Sequence, residues 1–157
     1  MTWHKTARSR KAAYHYKECG LDDVFLVSGY TVVPTAYGDA VSIMDQDGLH
    51  ATIARHLIES KKMLSGKELR FLRKRMDCTQ SAVARMMGVD AQTVARWEKG
   101  ETKVSGPADR MMRVIYNDFA SDPVAVTEML EALDSIDEPV GIRQLFESTP
   151  EGWKAAA

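Results

Sequence analysis

The pattern of apolar and polar positions in residues 79–100 predicts two short helices joined by a tight turn. Thr79 and Asp90 are residue types that cap the start of a helix, and Gly88 tolerates the left-handed conformation that ends one. The apolar positions at helical spacing are Val83, Ala84 and Met87 in the first helix, and Val94 and Trp97 in the second. We therefore expect both helices to bury one face, and the second helix to leave a polar face outside.

That polar face carries Gln92 and Arg96, which lie one helical turn apart. Gln and Arg are the side chains that form bidentate hydrogen bonds with adenine and guanine in the major groove of DNA. Ala91 and Ala95 are small enough to let this face approach closely. The pattern therefore predicts a recognition helix in which Gln92 and Arg96 contact bases.

Two more helices are predicted around this pair. Ser65 and Glu68 have the spacing of a capping box at the start of a helix, and Pro107 occupies a position typical of another helix start. The apolar positions that follow at helical spacing are Leu69, Leu72 and Met76 in the upstream helix, and Met111, Met112, Ile115 and Phe119 in the downstream one. We expect Met111 and Ile115 to pack at the base of the domain.

The N-terminal part has a β pattern. Residues 24–33 are rich in β-branched and aromatic side chains and predict one bent strand or a hairpin, which Pro34 ends. A second short strand is predicted within residues 40–45, and Asp47-Gly48 is expected to stop it. A helix then runs from Leu49 to about Lys61, which completes a small β-plus-helix unit.

The C-terminal part starts with a helix that needs a covering surface. Its apolar positions are Val126, Met129, Leu130 and Leu133, with acidic residues opposite. These residues pack either on their own domain or on a second subunit. Residues 134–157 are acidic and are expected to fray, with Leu145, Phe146 and Trp153 as the side chains available to dock.

Together these patterns predict a mainly α fold with a small N-terminal α+β part. The predicted segments are a basic N-terminal arm (1–20), a β-plus-helix unit that is a candidate partner or dimer interface (21–61), a helix-turn-helix domain (62–120), and an acidic C-terminal helix and tail (121–157). Two interpretations of residues 1–20 stay open, an arm that binds DNA and an irregular basic terminus without a role.

The formal net charge of −1 hides a segregation of charge along the chain. The four successive blocks are 1–20 with a net charge of +4, 21–54 with −5, 55–118 with +6 and 119–157 with −6. The +6 block coincides with the predicted helix-turn-helix domain, as phosphate binding requires. The acidic blocks are expected to face away from DNA.

The sequence lacks the residue patterns that several classes of function require. The 2 cysteines, Cys19 and Cys78, form no CxxC pair, and His50 and His56 are not at metal-ligand spacing, so neither a metal nor another cofactor is expected. No nucleophile with a base and no phosphate-cradling glycine loop appears, so we expect no catalytic residues and no enzyme. The chain lacks a membrane span and a secretory signal, which favours a cytoplasmic protein.

Residues 66–119 resemble the Xre, or lambda-repressor-like, helix-turn-helix family. The resemblance is carried by TQSAVARMMGV followed by TVARWEKG. It implies a five-helix DNA-binding domain. The residue roles that it implies are phosphate binding for Gln80, Lys99 and Lys103, base contact for Gln92, Thr93 and Arg96, and a structural ion pair between Arg73 and Glu98.

The order of the parts also resembles the MqsA-type antitoxins, which are dimeric repressors of toxin operons. That family holds zinc through two CxxC pairs, whereas this chain has only Cys19 in YKECGL, so zinc is not implied. From the helix-turn-helix pattern, the basic block and the family resemblance together, we expect a homodimeric autorepressor of a palindromic operator on double-stranded DNA. The alternative is an antitoxin-like protein that neutralises a toxin-like protein partner through its N-terminal unit. The acidic block 21–54 favours a basic partner, although exposed Asp residues also serve solubility.

Overall fold

The structure, a computed structural model, describes residues 12–121, 125–137 and 143–156. Helical residues make up 49% of the described residues, and small β-sheets lie toward the two termini. The chain forms two compact units. Among the described residues, the first unit contains 12–18, 22–53 and 143–156, and the second contains 19–21, 54–121 and 125–137. The predicted N-terminal arm lies mostly outside the described residues.

The strands are β1 (Tyr14–His15), β2 (Val24–Leu26), β3 (Tyr30–Thr35), β4 (Gly38–Ile43), β5 (Gln144–Thr149) and β6 (Gly152–Ala156). The helices are α1 (Gln46–Ser60), α2 (Gly66–Arg75), α3 (Gln80–Met87), α4 (Ala91–Glu98), α5 (Gly106–Phe119) and α6 (Val126–Asp134). α1 contributes its residues up to Ile53 to the first unit and the rest to the second. A mainly α fold with a small β part is therefore confirmed.

The first unit is built on a four-stranded sheet with the order β1-β2-β5-β6. β5 runs parallel to β2 and places Phe146 opposite Leu26, and both side chains are fully buried. β6 pairs antiparallel with β5. The expectation of fraying is therefore wrong for residues 144–156, which form two strands of this sheet, and Phe146 docks as one of the side chains considered for that role.

A second sheet consists of the β3–β4 hairpin. Neither the bent strand nor the hairpin expected over 24–33 forms, because Gly29, with φ of 79°, separates β2 from β3 and the two strands belong to different sheets. Pro34 lies inside β3, opposite Asp39, rather than ending it. A two-stranded sheet leaves one edge of each strand unpaired, where the missing N–H group of proline costs no ladder hydrogen bond. Residues 31–40 are exposed.

α1 starts three residues earlier than expected, so that Asp47-Gly48 lies in its first turn rather than stopping the chain. The cause is Asp45, whose carboxylate accepts a hydrogen bond from the N–H of Gly48 at 3.1 Å. An Asp side chain in this role satisfies a backbone donor that the start of a helix leaves free. The helix end at Ser60 lies one residue before the expected position.

In the second unit, α2 to α5 lie within residues 62–120, and the predicted count of five helices is unconfirmed. The capping box of Ser65 and Glu68 is present. The buried face of α5 differs from the expected one: Met112 is fully buried, whereas Met111 is 43% exposed and Ile115 is half-buried. The buried face of α5 instead includes a charged pair.

That pair is Asp109 and Arg113, which are both completely buried. The guanidinium of Arg113 donates to Asp109 at 2.9 Å and to the carbonyl oxygens of Ile58 and Lys61 at 2.6 Å each. Asp109 in turn accepts from the backbone N–H of Leu64 at 2.5 Å. The pair therefore satisfies carbonyl groups at the end of α1, which a helix leaves without partners.

α6 packs within the second unit. Met129 and Leu133 are 8% and 1% exposed, and Nδ2 of Asn117 on α5 lies 2.7 Å from the sulfur of Met129. Of the two covering surfaces considered for this helix, its own domain is the one observed for these residues, while Val126 stays 43% exposed. Within the described residues, no helix is long and apolar enough to cross a membrane.

Candidate nucleic-acid interface

The turn between α3 and α4 has the conformation that a helix-turn-helix motif needs. The hydroxyl of Thr79 accepts from the N–H of Ala82 at 3.0 Å and starts α3. Gly88 ends α3 in the left-handed conformation, with φ of 73° and ψ of 29°. The next N–H group, that of Val89, donates back to Ala84 at 3.0 Å. The chain thus leaves α3 and enters α4 with its terminal carbonyl groups satisfied.

α4 is anchored by one face and exposed on the other. Val94 is fully buried and Trp97 is 6% exposed, which confirms the predicted buried face of this helix. Gln92 and Arg96 are both exposed, and neither side chain has a hydrogen bond or salt bridge to another described residue. Two donor-rich side chains therefore stand one turn apart on a fixed helix and are available to a ligand.

Thr93 is held differently from its neighbours. The carboxylate of Asp90 accepts from the Thr93 N–H at 2.7 Å and from the Thr93 hydroxyl at 2.9 Å. These hydrogen bonds, with the backbone bond first, lower the pKa of Asp90 below its usual value of 3.8. Asp90 is therefore ionised at neutral pH and can only accept, so the hydroxyl proton of Thr93 is already used.

Arg73 and Glu98 join α2 to the last turn of α4. Nε and Nη2 of Arg73 donate to the two carboxylate oxygens of Glu98 at 2.8 and 2.7 Å. The third nitrogen, Nη1, donates to the carbonyl oxygen of Cys78 at 2.9 Å. The side chains are only 12% and 4% exposed, so this bidentate pair is largely shielded from solvent.

The same carboxylate also contacts two side chains at the surface. Nε2 of Gln80, in the first turn of α3, donates to Glu98 at 3.3 Å. Nε of Arg70 lies 3.8 Å from Glu98, and its side chain is 54% exposed. Glu98 therefore contacts Arg70, Arg73 and Gln80 at the end of α4. Among these partners, Gln80 is held in position and remains partly exposed.

Gly66 allows a close approach that the sequence pattern did not reveal. It begins α2, and a Cβ atom at this position would collide with the backbone carbonyl oxygen of Trp97. The start of α2 therefore touches the backbone of the recognition helix directly. The only signal in the sequence is a glycine directly after a helix cap, where a glycine is not otherwise required.

Lys99 and Lys103 are exposed after the end of α4. Gly100 between them has φ of 74°, which turns the chain away from the helix. The structure therefore separates the nominated residues into groups: Gln92 and Arg96 on the outer face of α4, Gln80 at the start of α3, and two lysines in the following segment. Among the described residues, no group of three or more metal-ligating side chains lies together.

Comparison with protein families matches residues 69–107 to a family described as helix-turn-helix, and this segment is of the Xre-like type. The match covers about a quarter of the chain. The domain indicates a DNA-binding transcription regulator, and its family is a regulatory rather than an enzymatic one. Searches of curated proteins and of solved structures give no match. The likeness to MqsA-type antitoxins is not supported.

The contact at Gly66 predicts an unusual sensitivity to the smallest substitution. Gly66→Ala should destabilise the second unit by about 1–3 kcal/mol or more, because the added methyl group must push α2 away from Trp97. Urea unfolding followed by tryptophan fluorescence measures this effect. Gly106→Ala is the matched control, since it lies in the first turn of α5 with open space around it and should be neutral or stabilising. Equal effects of the two substitutions would contradict the proposed close contact.

Proposed function

We propose that the protein is a sequence-specific transcriptional repressor whose α4 enters the major groove of double-stranded DNA. The observation that carries this proposal is the outer face of α4, where Gln92 and Arg96 are exposed and form no hydrogen bond or salt bridge with another described side chain, while Val94 and Trp97 anchor the buried face. In the major groove these side chains are able to form bidentate hydrogen bonds with adenine and guanine. The chemistry is binding alone.

Phosphate groups on either side of the groove are contacted by Gln80, Lys99 and Lys103 in this proposal. The amide of Gln80 is oriented by Glu98, and its second N–H is free to donate to a phosphate oxygen. The two lysines supply positive charge from the exposed segment after α4. Because phosphate contacts release counterions, the affinity should fall steeply as the salt concentration rises.

The repressor acts as a homodimer on a palindromic operator upstream of its own gene in this proposal. Two recognition helices related by a two-fold axis reach successive major grooves about 34 Å apart. Sequences selected from a random DNA library and then footprinted should show two inverted half-sites at this spacing. A single protected half-site with one chain bound would contradict the dimer.

Arg96 and Lys99 provide paired tests of base contact and phosphate contact. Arg96→Ala should weaken binding to the selected operator by roughly 1–3 kcal/mol and leave binding to random DNA nearly unchanged. Lys99→Ala should weaken both alike and reduce the slope of log affinity against log salt by about 1. Gel-shift titrations over a salt series measure both variants. If Arg96→Ala weakened operator and random DNA equally, the base-contact role of Arg96 would be wrong.

Thr93 contacts DNA through its methyl group, because its hydroxyl proton is donated to Asp90. Thr93→Val keeps a methyl group at this position and should retain operator preference, whereas Thr93→Ser should lose about threefold to fivefold in affinity. Replacing the operator thymines by uracil one at a time removes one methyl group each. At the position that Thr93 contacts, this replacement should lower the affinity of the wild type by the same threefold to fivefold. Loss of preference in Thr93→Val but not in Thr93→Ser would show that the hydroxyl is the contacting group.

The alternative function is an antitoxin-like protein that binds a protein partner through the first unit and represses its own operon. The favouring observation is the exposed β3–β4 hairpin in a unit whose residues 22–53 carry five Asp and no Lys or Arg. Such a surface suits a basic partner. Co-expression with the product of a neighbouring gene should yield a complex that survives purification, and separate elution of the two chains would contradict this role.

A further inference from the structure

The first unit contains a half-open cleft of about 570 Å³. Tyr14 and Tyr16 line it together with Glu18, while β3 and β4 contribute aliphatic side chains and Asp39. Its volume lies within the range of small-molecule sites, and its aromatic and aliphatic walls carry a few convergent polar groups. The cleft takes no part in the DNA interface proposed for the second unit.

Hydrogen bonds hold both tyrosine side chains of the cleft. The hydroxyl of Tyr14 donates to Glu18 at 2.5 Å, a contact that raises the pKa of Tyr14 to about 12 and keeps the phenol neutral. The hydroxyl of Tyr16 lies 2.8 Å from Nε2 of His50 and accepts from Gln46 at 3.1 Å. Tyr16 is only 2% exposed, so its position is defined by the fold rather than by solvent.

The cleft is electrically unbalanced. Among the described residues, neither Glu18 nor Asp39 forms a salt bridge with a Lys, Arg or His side chain. Two carboxylates that line one cleft give it a negative local field. Such a field attracts cations and repels anions.

We propose that this cleft binds a guanidinium or alkylammonium group between the ring of Tyr14 and the carboxylates of Glu18 and Asp39. Aromatic faces attract such cations, and the attraction adds to that of Glu18 and Asp39. A neutral apolar ligand lacks this second contribution and would displace water from the carboxylates without replacing its hydrogen bonds. The group is carried either by a free small molecule or by an Arg or Lys side chain of a protein partner, and both sources share this chemistry.

Binding is tested on the full-length chain with n-butylguanidinium and with n-butylurea, its neutral analogue of similar shape. Titrations followed by amide NMR shifts should show saturable changes confined to residues 14–18 and to β3 and β4, with a dissociation constant in the millimolar range, as expected for a fragment of this size. The urea should produce no saturable change. Equal shifts with both compounds, or none with the cation, would overturn the proposal.

Substitutions in the cleft distinguish binding at the cleft from attraction by the overall charge of the unit. Glu18→Gln and Asp39→Asn should each lower the association constant by about twofold to fivefold, as for partly exposed ion pairs. Glu151→Gln is the matched control, since it removes the same charge from an exposed turn of the same unit outside the cleft. If Glu151→Gln lowered binding as much as Glu18→Gln did, the cleft would not be the site.

Two substitutions of Tyr14 test the contribution of its aromatic ring to binding. Tyr14→Phe keeps the ring and removes the hydrogen bond to Glu18, so it should retain most of the binding, whereas Tyr14→Leu should lose it. The spectra of the two variants also show whether the unit remains folded. Retained binding in a folded Tyr14→Leu variant would contradict the role of the ring.

The last arm of the experiment distinguishes the two sources of the cation. A blocked Ala-Arg-Ala tripeptide carries the same guanidinium group with peptide bonds on both sides. If it shifts the same residues with an affinity at least equal to that of n-butylguanidinium, a protein side chain fits the cleft. If only the free cation binds, the site takes a small molecule. Binding of neither compound would overturn the proposal.

Discussion

The position of the recognition helix depends on the carboxylate of Glu98. A charge that is 96% shielded must be compensated, and Arg73 supplies two hydrogen bonds to it from α2 while Gln80 adds one from α3. The three helices are therefore tied at one point. Gly66 strengthens this constraint, because it lets the start of α2 touch the backbone of Trp97. A shift of α4 along or away from its neighbours breaks these contacts together, so its outer face keeps one orientation.

Charge is distributed unevenly along the chain. The block 55–118 carries a net charge of +6 around the helix-turn-helix motif, and the described part of the first unit is acidic. A polyanion such as DNA is attracted by the first distribution and repelled by the second. In the proposals made above, the tyrosine-lined cleft and the exposed hairpin of the first unit are the surfaces that bind a different partner.

The parts of the fold that were predictable from sequence are those with local causes. The caps at Ser65, Thr79 and Asp90 and the stop at Gly88 each depend on residues at most a few positions away. The parallel pairing of β2 with β5 joins segments about 120 residues apart, and no local pattern indicates it. The buried pair of Asp109 and Arg113 was likewise not predicted, because its partners are backbone groups of a distant helix end. Gly66 was missed because a close approach leaves no mark on periodicity.

The polar groups near the start of α4 are not equally available to DNA. The carboxylate of Asp90 caps the helix and accepts a hydrogen bond from the hydroxyl of Thr93, so both groups stabilise the fold. Gln92 and Arg96 form no such hydrogen bonds with the described residues, so in the proposed complex they lose side-chain entropy when they contact bases. Gln80 is already ordered by Glu98 and loses less. In the proposed complex, phosphate contact by Gln80 therefore costs less side-chain entropy than base contact, which requires the ordering of two long side chains.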